Sequence, residues 1–138
     1  MSVNTKSIGV AFEDQNIIGA DRILTDRELG YTAAAQGTVT QATDKGTGVT
    51  LNKSAGRITM NNAALAGNTA VSFTLTNSLI SANDTIILNI SGGATAAAYT
   101  TYVSSMTTGS AVLALRNLTS GSLSEAAILN FSIIHGQS

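Results

Sequence analysis

The chain has 138 residues, 43% of them apolar and only 11% charged, with a formal net charge of -1, a single histidine and no cysteine, proline or tryptophan. That length holds one compact domain with a core of its own. A charge fraction less than half of the roughly 25% usual in soluble proteins supplies no basic stripe for phosphates, which argues against nucleic acid as a partner, and the missing cysteines exclude disulfide staples and thiol chemistry.

The opening stretch, MSVNTKSIGVAFEDQ, contains no apolar segment of signal-peptide length. No later run approaches the roughly 18 apolar residues of a membrane span. The expectation is a soluble chain that makes no membrane contact. Charge is concentrated at the front: Lys6, Glu13, Asp14, Asp21, Arg22, Asp26, Arg27 and Glu28 precede Gly30, whereas Arg57, Asp84, Arg116 and Glu125 are the only ionised residues after Ser54. Residues 1–36 therefore read as an extended N-terminal arm and 37–138 as the folded domain. Within the arm, IIGADRILTDRELGY sets apolar residues among charges with no period of two. Thr25 to Glu28 fits a capping box, but about one turn of helix is too little to stand alone in water.

From Gly37 onward the period is two. TVTQAT and TGVTLN are short strands parted by DKGTG, whose residue types suit a hairpin turn; GRITM follows, with NNAALAGN as a connection. In AVSFTLTN, Val71, Phe73 and Leu75 point one way and Ser72, Thr74 and Thr76 the other, the mark of a half-buried strand. Ile86, Leu88 and Ile90 repeat the pattern in DTIILNIS before SGGATAA interrupts it. AYTTYVSS, SAVLALRNL and EAAILNFSIIH complete the series, with Ala127, Leu129, Phe131 and Ile133 on one face of the last. About eight short strands at turn spacing predict an all-β fold: a two-sheet antiparallel sandwich of jelly-roll or Greek-key-like order.

Chemistry-bearing residues are sparse. His135 is the only histidine and stands near the end of the last strand, so it reads as a strand-end residue rather than a general base. Zinc needs clustered His and Cys, DKGTG lacks the spacing of a phosphate loop, and the acid pairs Glu13/Asp14 and Asp26/Glu28 read as solvated charge. The expectation is no enzyme, no metal and no cofactor. Tyr99 and Tyr102 have opposite parity, so at most one shares a face with the core. Arg116 and Glu125 flank NLTSGSLS, where a hairpin would set them opposite each other as a cross-strand ion pair that fixes register without forming a site. The five Asn-x-Ser/Thr triplets, at Asn52, Asn83, Asn89, Asn117 and Asn130, are read as unglycosylated.

GTVTQATDKGTGVTLNKSAGRITMNNAALAGNTAVSFTLTN and RNLTSGSLSEAAILNFSIIHG together resemble a module of small virion proteins from tailed bacteriophages; the likeness covers about Gly37 to Gly136 and leaves the arm out. It implies a structural protein of the capsid decoration or cement type, working as an oligomer on the outer surface of the phage head after synthesis in the host cytoplasm. The alternative is a tail-fibre module that recognises host surface glycans. On this reading the partners are the major capsid protein and a second copy, a homodimer being favoured over a trimer. The arm's Phe12, Ile17, Ile18, Ile23, Leu24 and Leu29 are the expected partner-binding anchors. A surface of Ser, Thr and Asn suits such a setting, because subunit contacts and bridging waters take the place of bulk solvent.

Overall fold

A computed structural model of the chain describes residues 18–136. The chain divides into two compact units, Met1–Gly30 and Tyr31–Ser138. The second begins at Tyr31, earlier than the Gly37 expected from the distribution of charge. Tyr31 donates its hydroxyl to the Ile133 carbonyl, the Gln36 side-chain amide donates to the Tyr31 carbonyl at 2.9 Å, and one 3-10 turn, Ala33–Ala35, leads into the first strand. These are uncharged residues, invisible to a boundary drawn by charge.

Eight strands follow: β1 (Gln36–Thr40), β2 (Val49–Thr50), β3 (Ala55–Thr59), β4 (Ala70–Thr76), β5 (Thr85–Gly92), β6 (Tyr99–Thr107), β7 (Ser110–Asn117) and β8 (Ile128–Ile134). They form two four-stranded sheets, ordered β1-β3-β8-β5 and β2-β4-β7-β6. The fold is the expected two-sheet sandwich, but the sheets are mixed rather than wholly antiparallel. β1 pairs with β3, and β2 with β4, in parallel, while β8 and β7 run antiparallel to both of their neighbours.

The parallel pairs follow from the path of the chain. Each connection from β1 to β5 crosses from one sheet to the other, so β3 returns beside β1, and β4 beside β2, running the same way. DKGTG is thus a crossing between sheets and not a hairpin turn. Only β6 and β7 adjoin in both sequence and sheet, through a two-residue turn in which Gly109 takes the left-handed backbone (φ +83) that other residues avoid.

Between the sheets lies one aliphatic core. Ile58, Leu129, Phe131 and Ile133 from the first sheet meet Phe73, Leu75, Leu113 and Leu115 from the second, together with Met60, Leu65 and Ile80 from the connections. Each such side chain removed from water contributes about 1.5–3 kcal/mol. In β4, β5 and β8 the buried positions have the parity that alternation predicts. Tyr99 is buried and Tyr102 exposed, as their opposite parity requires.

Candidate interaction surface

The register of the first sheet assembles its outer face in rows. Thr38, Arg57, Asn130 and Asn89 stand side by side across β1, β3, β8 and β5, and Gln36, Ala55, Ser132 and Ile87 form the adjoining row. The face is recessed into a trough of about 610 Å³ lined by Gln36, Thr38, Arg57, Ile87, Asn89 and Asn130, among others. Arg57 is the only ionised side chain on these strands. At one end Ile87 and Ile134 are 54% and 57% exposed; they occupy diagonal positions on the same face, since Thr85 pairs with Ile134 and Ile87 with Ser132.

The outer face of the second sheet is built alike but filled differently. Ser72, Ala114 and Tyr102 form one row and Ala70, Arg116 and Thr100 the next. Ala114 is fully covered although it points away from the core. Arg116 is the only ionised residue on this face. Each sheet thus presents Ser, Thr and small residues around one arginine.

The ends of the sandwich are fastened by buried polar groups that sequence reading left unassigned. The Lys45 ammonium donates to the backbone carbonyls of Asn61 and Glu125, tying the β1–β2 loop to two others. Burial pushes Lys45 below its ordinary value, with the Glu125 carboxylate acting in the opposite sense. Gln41 shapes the same loop from within, donating to the carbonyls of Lys45 (2.9 Å) and Thr47 (2.8 Å) and accepting from the Asn61 N–H at 3.0 Å.

Glu125 does not face Arg116 across a hairpin, because β7 and β8 lie in different sheets. Its carboxylate accepts instead from the Thr95 hydroxyl (2.6 Å) and N–H (3.1 Å), which hold it below the usual carboxylate range. Tyr99 lies close to this carboxylate. Its hydroxyl is buried and makes no hydrogen bond of ordinary geometry; burial first, and then Glu125, push the phenol up to about 12.

At the β4–β5 loop, Asp84 is buried and accepts from Ser81 N–H (2.8 Å), Ser81 Oγ (3.0 Å) and Gly136 N–H (3.0 Å), with His135 Nδ1 at 3.2 Å. His135 closes the strand end as the sequence reading expects, and its carboxylate partner was not visible in the sequence. The Ser81 N–H, more than any other group, holds Asp84 below its ordinary value. Ser81 bonds to the carboxylate rather than to the imidazole, so no nucleophile–base pair results. Among the described residues no group of three or more His, Asp or Glu is placed to hold a metal ion. Asn117, one of the five glycosylation triplets, is fully buried and bonded to the Leu65 and Gly121 carbonyls.

Of the six expected partner-binding residues, Phe12 and Ile17 lie outside the described residues. Ile18, Ile23, Leu24 and Leu29 are 62% to 89% exposed, and no strand or helix forms in residues 18–30. The chain matches no protein-family model, no curated protein and no solved structure.

Proposed function

We propose that this chain is a structural subunit of a phage particle: a decoration protein that sits on the outside of the head and stabilises contacts between major capsid protein subunits. The observation that carries the reading is the pair of outer sheet faces, each a field of Ser, Thr, Asn and small residues around a single arginine. A freely diffusing domain keeps itself dissolved with interspersed charge. A subunit set among neighbours does not need it, because its hydroxyls and amides meet protein partners or bridging water. The likeness of residues 37–136 to small virion proteins of tailed phages supplies the setting. Segment 18–29 supplies the grip: Ile18, Ile23, Leu24 and Leu29 carry exposed apolar surface, and ordering them on a neighbour buries it.

The test is attachment to heads of the encoding phage assembled without the protein. The full chain should bind and raise the temperature at which the shells break. A chain lacking residues 1–30 should keep its thermal transition but fail to bind. Undiminished binding by that truncated chain would remove the arm from the mechanism, and absence of binding by the full chain would remove the function.

Tyr102 favours a second reading, a tail-fibre module that recognises host glycans. It is 46% exposed on the outer face of the second sheet, where an aromatic ring can stack on a sugar. Copy number per particle separates the two readings, since a head carries many more copies than a tail.

A further inference from the structure

The trough in the first sheet has an electrostatic property that decides what can fill it. Among the described residues the Arg57 side chain forms no ion pair and no hydrogen bond, and the single charged contact is His135 with Asp84. Its row neighbours are neutral: Thr38 on one side, Asn130 and Asn89 on the other. Two such faces brought together around a two-fold axis would set arginine near arginine, so the face is not its own complement. It calls for a carboxylate, delivered by something slender enough to enter a recess and apolar enough to cover Ile87 and Ile134.

The chain contains such a segment. Residues 1–30 carry five carboxylates (Glu13, Asp14, Asp21, Asp26, Glu28) against three cations (Lys6, Arg22, Arg27), a net of -2, whereas residues 31–138 carry four cations (Lys45, Lys53, Arg57, Arg116) against three carboxylates (Asp44, Asp84, Glu125), a net of +1. Within residues 18–29, Asp21, Asp26 and Glu28 are interspersed with Ile23, Leu24 and Leu29 and with Arg22 and Arg27, a net of -1. At about 3.3 Å per extended residue, Asp21 to Glu28 spans roughly 25 Å, more than the ~14 Å across four strands. Asp26 and Glu28 fall on one side of an extended segment, so one carboxylate can take the Arg57 guanidinium while the other lies over the Asn130 and Asn89 amides.

We infer that the trough around Arg57 is the docking site for the acidic segment 18–29 of a second copy of this chain. The inference rests on the assembly reading above and names one of the neighbours that the arm grips. Reciprocal exchange of two arms closes a dimer without placing the arginines together, and exchange in one direction links copies in series. On the outer face of the second sheet, by contrast, Arg116 stands next to the row that holds Ala114 and the Tyr102 ring.

Sedimentation equilibrium of the full chain tests this. The wild type should self-associate. Arg57→Glu should weaken association by about tenfold or more, as should reversal of the segment in Asp21→Lys/Asp26→Lys/Glu28→Lys. An equimolar mixture of these two variants should associate again, because each pairing across a mixed dimer then has opposite charges. Arg116→Glu should associate like the wild type. At concentrations where every variant is monomeric their thermal transitions should match, since every changed side chain is exposed. A monomeric wild type, an undiminished Arg57→Glu, or a mixture that stays dissociated would each overturn the inference. Attachment of a monomeric chain to phage heads would overturn it while leaving the decoration function standing.

Discussion

Asp84 Oδ2 lies 3.2 Å from His135 Nδ1, and through this contact and the Gly136 N–H the far end of β8 is held to the β4–β5 loop. The Asp84 side chain is 1% exposed, so no water stands ready to replace these partners. Replacing it with Ala leaves the Ser81 and Gly136 N–H groups without an acceptor, which costs more than never having made the bonds.

The acid response of this clasp has a definite sign. The folded value of Asp84 is depressed, so as pH falls the unfolded chain takes the proton first, near its ordinary value of about 3.9. The stabilisation is therefore complete above that value and is lost as pH falls through the depressed folded value. Asp84→Asn should lower the unfolding midpoint at neutral pH. The gap to the wild type should close on the acid side of 3.9, as measured by thermal melts across the acid range. A gap independent of pH would assign the effect to shape alone.

Lys45 is the one buried amine among the described residues, and it spans two carbonyls from separate loops. Lys45→Met keeps the stem and removes the donor, and should cost about 1–3 kcal/mol in denaturant melts. Because burial lowers its value from 10.5, the wild type should gain stability from this group as pH rises through the folded value toward 10.5. That gain should be absent in the variant.

Tyr99 acts in the opposite direction and at higher pH. Its phenol stays protonated to about 12 in the fold and ionises near 10 in the unfolded chain. Across that window the unfolded chain binds fewer protons, and stability falls as pH rises. Tyr99→Phe should remove the fall. At neutral pH the variant should match the wild type or exceed it by up to about 1 kcal/mol, since a buried hydroxyl without a bonded partner is lost. Phenolate absorbance during an alkaline titration checks the first statement and denaturant melts the second.

Strand parity separates Ile58 from Ile87. Ile58 is fully buried between the sheets, whereas Ile87 faces outward. Ile58→Ala should cost about 2–5 kcal/mol and Ile87→Ala no more than about 0.5 kcal/mol under conditions where the chain is monomeric. Similar losses at the two sites would mean that the inner and outer faces are misassigned.

Alternation carried the inner faces. Phe73 and Leu75, Ile86 and Leu88, and Leu129, Phe131 and Ile133 each pair burial with a period of two, a strictly local property. The outer faces were legible only as composition. That Thr38, Arg57, Asn130 and Asn89 form one row depends on four strands scattered from residue 36 to residue 134, and period two says nothing about which strand lies beside which.

The amino-acid sequence by itself determined a sandwich of about eight strands, its apolar interior, its scarcity of charge and the charged segment at its front, because hydrophobic burial and backbone geometry act over a few residues at a time. Tertiary structure alone decided the parallel edge pairs, the conversion of DKGTG from a presumed hairpin into a crossing between sheets, and the partners of Lys45, Glu125 and Asp84. Those depend on where the chain goes after it leaves a strand. The bond from Lys45 to Glu125 joins loops 80 residues apart, and Asp84 meets Gly136 across 52. Such contacts are fixed by the packing of whole sheets against each other, a quantity that no short window of sequence contains.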